Sequence, residues 1–194
     1  PAFWCAGTEL LRSKSLDRDS YNSGDWFNAI DFSGQRNGFG RGLPPAGTNE
    51  GAWPIQGPLL EDAWLRPSPD EIAAARAQAL DLLRLRSSTP LFSLGEASLV
   101  QDKLSFPGSG FGAPPGIIVM LIDDTAGSRD MDPELDGVLV VFNASGYTLT
   151  RSLAQLTGRD FHLSPIQAEG ADDVVRRTGF DRSTGTVNVP ARTV

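Results

Sequence analysis

Residues 15–28, SLDRDSYNSGDWFN, set three aspartates, an arginine, two asparagines and three aromatic residues within fourteen positions. With Asn49 and Glu50 further along, they are the residue types of a glycosidase centre, where an acid and a nucleophile must converge on a sugar bond. The same residues also suit a scaffold, in which Asp and Arg pair to fix the loop while Trp26 and Phe27 pack beneath it. Spacing does not choose between the two.

Other chemistries find less support. His162 is the only histidine and Cys5 the only cysteine. A metal site of His/Cys spacing is thereby excluded, and a nucleophilic centre would need His162, placed on an expected strand, to meet Cys5 from another domain. GFGRG at 38–42 lacks the strand, helix and spacing of a nucleotide loop and reads as a flexible turn. Residues 123–137 carry five aspartates and a glutamate but not the spacing of a helix–loop–helix calcium site, so they read as a solvated hairpin loop. Asn143 opens an NAS sequon that matters only in a secreted chain.

The 194 residues carry a net charge of −7 and no cluster of Lys and Arg, which disfavours nucleic acid and anionic membranes as partners. A neutral ligand such as a sugar is compatible with that charge. A single cysteine mildly favours a reducing compartment. No apolar run reaches the length of a membrane span and no signal peptide is visible.

The elements that must position these residues fall into two halves. In residues 1–89, PAFWCAG reads as a short buried strand ending at Gly7, and TELLRSKS as a helical turn capped by Thr8. Little periodicity follows until about Trp64, yet the buried-type aromatics of that stretch argue against disorder. A helix is predicted from Pro69 to Ser87. Ser68 and Glu71 form its capping box, Pro69 suits its first position, and Ile72, Ala75, Ala79, Leu82, Leu83 and Leu85 form a core-facing stripe. Residues 90–194 read as all-β. GIIVMLID and GVLVVFNAS are core strands, while LVQDKLSF, RDFHLSPIQ and TGTVNVPARTV alternate over shorter lengths. About six strands in some hundred residues predict an antiparallel sandwich.

At GTELLRSKSLDRDSYNSGDWFN the chain resembles starch-debranching enzymes of the pullulanase/limit-dextrinase type, within the α-amylase superfamily. GLPPAGTNEGAWPI, LLRLRSSTPLFSLG, PPGIIVMLIDD, VVFNAS and VPARTV resemble later landmarks of those enzymes in the same order. RDSYNSGDWFN is most similar to the plant and algal limit-dextrinase branch. The resemblance covers essentially the whole chain. It implies an α+β fragment: residues 1–89 as the last strand, long loop and final helix of a (β/α)8 TIM barrel, and residues 90–194 as the C-terminal β-sandwich. In such barrels the active site lies at the C-terminal ends of the strands. The loop after Gly7 would therefore line the sugar cleft.

The resemblance further implies hydrolysis of α-1,6 linkages in pullulan, limit dextrin and starch with retention, by carboxyl groups about 5–5.5 Å apart. Those carboxylates precede the region matched here, so no catalytic residue is carried over. Arg18 is carried over as a substrate-binding candidate, with Asp17, Asp19, Tyr21, Asn22 and Asn49. Asp25 and Trp26 are carried over as loop-fixing candidates. Two positions depart from the family: Cys5 stands where relatives usually have His, and Gly51 where near relatives often have an acidic residue. No metal ligand and no cofactor are assigned, calcium in the intact enzyme being left open. The expected partners are α-glucan and an N-terminal barrel segment, joined covalently or as a separate chain. A plant-type match implies the plastid stroma, and otherwise the cytoplasm. The alternatives are a non-catalytic α-glucan-binding or scaffolding module, or an inactive remnant.

Overall fold

The computed structural model describes residues 3–194. One compact unit runs as far as Leu80 and a second spans Asp81–Val194, so the division falls inside a helix rather than after it.

In the first unit, a 3-10 turn at Thr8–Leu10 leads into a long loop. Short helices follow, α1 (Gly24–Asn28), α2 (Ala46–Asn49) and α3 (Trp53–Glu61), and then α4 (Pro69–Ser87) begins. The expected N-terminal strand does not form across the described part of its span. Residues 3–5 have no regular structure, and Phe3 and Trp4 are exposed. A strand needs a neighbour for its N–H and C=O groups, and none runs beside this segment among the described residues. The expected cap is also corrected. Gly7, at φ 87°, precedes the turn, while Thr8 lies inside it and its hydroxyl donates to the Cys5 carbonyl at 2.8 Å.

Helix α4 occupies its expected bounds. The Ser68 hydroxyl accepts from the Glu71 N–H at 3.3 Å, and the Glu71 carboxylate accepts from the Ser68 N–H at 2.7 Å. That reciprocal capping satisfies two of the orphan donors of the first turn. The stripe is only half covered: Ile72 and Ala79 are buried, whereas Leu82 and Leu83 are exposed. Helical spacing shows that a face is apolar, not that something covers it.

The second unit holds six strands in two antiparallel sheets. In chain order these are β1 (Leu104–Ser105), β2 (Ile117–Asp123), β3 (Gly137–Asn143), β4 (Leu149–Ser152), β5 (Gly179–Asp181) and β6 (Thr186–Val189). The sheet orders are β1-β2-β3 and β4-β6-β5. β2 and β3 pair over seven residues, from Ile117↔Asn143 to Asp123↔Gly137. Period-2 alternation then aims Ile117, Val119 and Leu121 at Leu149, Val187 and Val189 of the other sheet. Leu156 plugs this shared core, fully buried. Each such side chain contributes about 1.5–3 kcal/mol by leaving water.

Two expected strands are corrected. LVQDKLSF is mainly helix α5 (Ala97–Lys103), with only Leu104–Ser105 extended. RDFHLSPIQ is a loop running into helix α6 (Pro165–Ala168). Its apolar signal comes from Phe161, which anchors the loop edge-to-face on Phe180 at 5.2 Å, and His162 is exposed. Asn143 is buried, its amide donating to the Tyr147, Val189 and Pro190 carbonyls. The sequon asparagine is thus a structural pin. The acidic loop is more than solvated charge, because Asp124 pairs at 2.8 Å with Lys103, both side chains being buried.

A candidate glucan-facing loop

Residues 11–28 follow a course that the local sequence resists and tertiary contacts enforce. Ser15 and Leu16 both have positive φ, 56° and 62°, a conformation that costs a non-glycine residue energy. The Ser15 hydroxyl donates to the Gly42 carbonyl at 2.7 Å, and the Gln56 amide donates to the Leu16 carbonyl at 3.0 Å. Two distant segments, the GFGRG turn and α3, thereby hold the bend in place.

Just beyond the bend stand Asp17 and Asn49, 7% and 1% exposed. The Asn49 amide donates to Asp17 Oδ1 at 2.9 Å and to the Pro45 carbonyl at 2.9 Å, while its Oδ1 accepts from the Arg18 N–H at 3.1 Å. Asp17 Oδ1 also accepts from the Asp19 N–H at 3.1 Å. Burial pushes the Asp17 carboxyl up. The nearby Ser23 hydroxyl, the Asp19 N–H, the Asn49 amide and the charge of Lys14 together outweigh it and hold the group below the usual carboxylate range. Asp17 Oδ2 is buried without a hydrogen bond of standard geometry.

Asp19 organises the next turn. It accepts from the Tyr21 N–H at 2.9 Å and from the Asn22 side chain at 2.8 Å, and these bonds lower its pKa. The outcome for the expected residues is a division. Asp17 and Asn49 lie inside, and Asp19 is tied to Asn22 at the surface. Arg18 and Tyr21 point outward, and the Arg18 side chain makes no hydrogen bond or ion pair among the described residues. Asp25, expected to fix the loop, lies exposed in the first turn of α1 with no side-chain hydrogen bond among the described residues. Asn28 does that work instead, donating to the Ser20 and Gly24 carbonyls at 2.7 and 3.0 Å. Trp26 does not pack beneath the loop. It is exposed, and its Nε1–H donates to the Arg41 carbonyl at 3.3 Å.

Sequence reasoning missed Ser15, Asn28, Gln56 and Arg41. Their partners are backbone carbonyls, which every residue carries, so no pairing of side-chain types announces them. The GFGRG turn does carry a readable signal. A Cβ on Gly38 would lie 2.5 Å from the Ser13 carbonyl oxygen and one on Gly40 2.7 Å from the Arg66 guanidinium. These glycines permit close approach in a fixed turn rather than flexibility. Among the described residues, no three His, Cys, Asp or Glu side chains converge on a metal-sized site, and no helix is long and apolar enough to cross a membrane.

The loop is thus held from within and turns a cation and aromatic rings outward, and a two-sheet antiparallel unit follows it in the chain. Residues 34–194 match the family described as alpha-1,6-glucosidases, pullulanase-type, C-terminal, and the chain belongs to that family. It is 44% identical to chloroplastic pullulanase 1 of Arabidopsis thaliana, over 98% of this chain and 20% of the relative. It is 36% identical to the pullulanase of Klebsiella pneumoniae, over 100% of this chain and 18% of that one. The crystal structure of apo pullulanase from Klebsiella pneumoniae superposes with a TM-score of 0.85 at 35% identity, covering 96% of this chain and 20% of that one. A maltotriose complex from the same organism superposes at 0.84, with the same identity and coverage. The chain thus spans about a fifth of the length of these relatives.

Proposed function

We infer that this chain is the C-terminal portion of a starch-debranching enzyme that hydrolyses α-1,6-glucosidic linkages in pullulan, limit dextrin and starch. In this reading residues up to about 89 are the end of a (β/α)8 barrel and the rest a β-sandwich. The catalytic carboxylates belong to a preceding barrel segment, so this chain contributes a wall of the cleft and not the bond-breaking groups. The exposed leucines of α4 suit a helix that other barrel elements cover. The Arabidopsis relative is a chloroplastic enzyme, which favours the plastid stroma as the location.

The observation that carries the reading is the division of labour within residues 15–28. Asp17 and Asn49 are spent inside the protein, and what they hold outward is Arg18. A guanidinium offers five donors in a fixed fork, well suited to the hydroxyls of a neutral sugar, and because the Arg18 backbone is already held, binding has only the side chain left to order. The relatives solved with maltotriose show that the family includes α-glucan binders. Asp17, Asp19, Asn22 and Asn49 act as positioning residues for the loop, while Arg18 and Tyr21 face the glucan.

The test is Arg18→Ala in the full-length protein. Loss of charge-assisted hydrogen bonds worth about 1.5–3 kcal/mol should raise KM for pullulan by about tenfold or more, with Tm unchanged. Unaltered kinetics on both short and long dextrins would remove Arg18 from the cleft.

A further inference from the structure

Trp26 is 64% exposed yet held in place. Its Nε1–H donates to the Arg41 carbonyl, the Arg41 guanidinium carbon lies 5.7 Å from the ring centroid over one face, and Arg41 Nη1 donates back to the Trp26 carbonyl at 2.7 Å. Two reciprocal hydrogen bonds and a cation–π contact thus lock α1 to the GFGRG turn. The polar edge of the indole is satisfied by the protein, so the surface it leaves to water is apolar and flat. Tyr21, on the same loop, is 95% exposed. Leaving large rings in water is unfavourable, and freezing one of them removes the entropy it would otherwise retain, as a preformed contact surface requires. Arg41 lies between Gly40 and Gly42, both at positive φ, in the same turn.

We propose that Trp26 is a stacking platform for a glucose residue of the α-glucan, and that Arg41 is the positioning residue that sets its ring. The ligand class follows from the chemistry. A pyranose offers a face of C–H groups to an aromatic plane, and it carries no charge to conflict with a chain of net charge −7. The proposal rests on the glucan-facing reading of this loop but assigns Trp26 to contact with substrate, where the loop-fixing role gave it none.

The experiment titrates maltotriose into the full-length protein, following tryptophan fluorescence and calorimetry for wild type, Trp26→Ala, Trp26→Phe, Arg41→Ala and Arg18→Ala. Trp26→Ala should weaken binding by about threefold to tenfold. Trp26→Phe should retain affinity within about threefold of wild type while losing the part of the fluorescence change that Trp26 supplies. Arg41→Ala should weaken binding less than Trp26→Ala and leave that fluorescence change smaller. Wild-type affinity in both Trp26→Ala and Arg41→Ala, with or without a lowered Tm, would make the pair structural and overturn the proposal. If Arg18→Ala still weakened binding in that case, the glucan-facing reading would survive without it. No binding by the wild type would overturn both.

Discussion

Asn49 and Asp17 stand 32 positions apart in sequence and meet at 2.9 Å, amide to carboxylate, both shut away from solvent. Through that contact α2 reads the position of the loop: Asn49 also binds the Arg18 N–H, so one side chain fixes two consecutive residues. Asn49→Ala should destabilise the protein by about 1–3 kcal/mol, since it leaves the Arg18 N–H unpaired and takes from the buried Asp17 Oδ1 one of its two donors, the Asp19 N–H remaining. Hydrogen exchange should quicken at Arg18 and Asp19 more than in the β-sheets. Equal quickening everywhere would show that Asn49 supports the fold generally and not this loop.

The buried pair Lys103–Asp124 does the corresponding work in the second unit. The Lys103 ammonium also donates to the Asp124 and Ala126 carbonyls at 2.8 and 2.7 Å, tying α5 to the loop between β2 and β3. Lys103→Met should cost about 3–5 kcal/mol, measured by urea unfolding, because it leaves Asp124 buried and unpaired. Replacing both partners with apolar residues should cost distinctly less.

Acid sensitivity follows from the same group. Burial raises the Asp124 carboxyl, but Lys103 and the N–H groups of Asp132 and Met131 outweigh it and leave the pKa lowered. The unfolded chain therefore binds this proton more readily than the native one. The resulting stability is fully present above the ordinary aspartate value of about 4, and is lost as pH falls through the depressed native value. Asp17 adds to stability with the same sign. Asp124→Asn should flatten the pH dependence of Tm below about pH 4, and an unchanged slope there would assign the acid sensitivity to other groups.

Gly38→Ala places a methyl group 2.5 Å from the Ser13 carbonyl oxygen at a φ of +90°. It should cost at least about 1–2 kcal/mol and expose residues 13–18 to limited proteolysis. A protease-resistant variant would show that the turn can yield.

Elements whose determinants are local were legible in the sequence. Ser68, Pro69 and Glu71 announce the start of α4 because capping is settled within four residues, and β2 and β3 announce themselves by apolar runs bounded by glycine and aspartate. Elements whose determinants lie elsewhere were not. α5 reads as a strand because nothing local reveals that Lys103 will be buried against Asp124. The loop holding Phe161 reads as a strand because its ring packs on a distant Phe180. In the candidate site, the residue types around Arg18 single out the loop as a candidate. Only coordinates separate the inward Asp17 and Asn49 from the outward Arg18, or show Asn28 fixing the loop where Asp25 was expected to.

The central claim is that this chain is the glucan-facing tail of a larger debranching enzyme. The most direct test is the intact mass of the native protein from its source, paired with pullulan hydrolysis by the same sample. The account predicts a species several times larger than 20.7 kDa that cleaves pullulan. A 20.7 kDa species, active or inactive and with no partner chain, would contradict it.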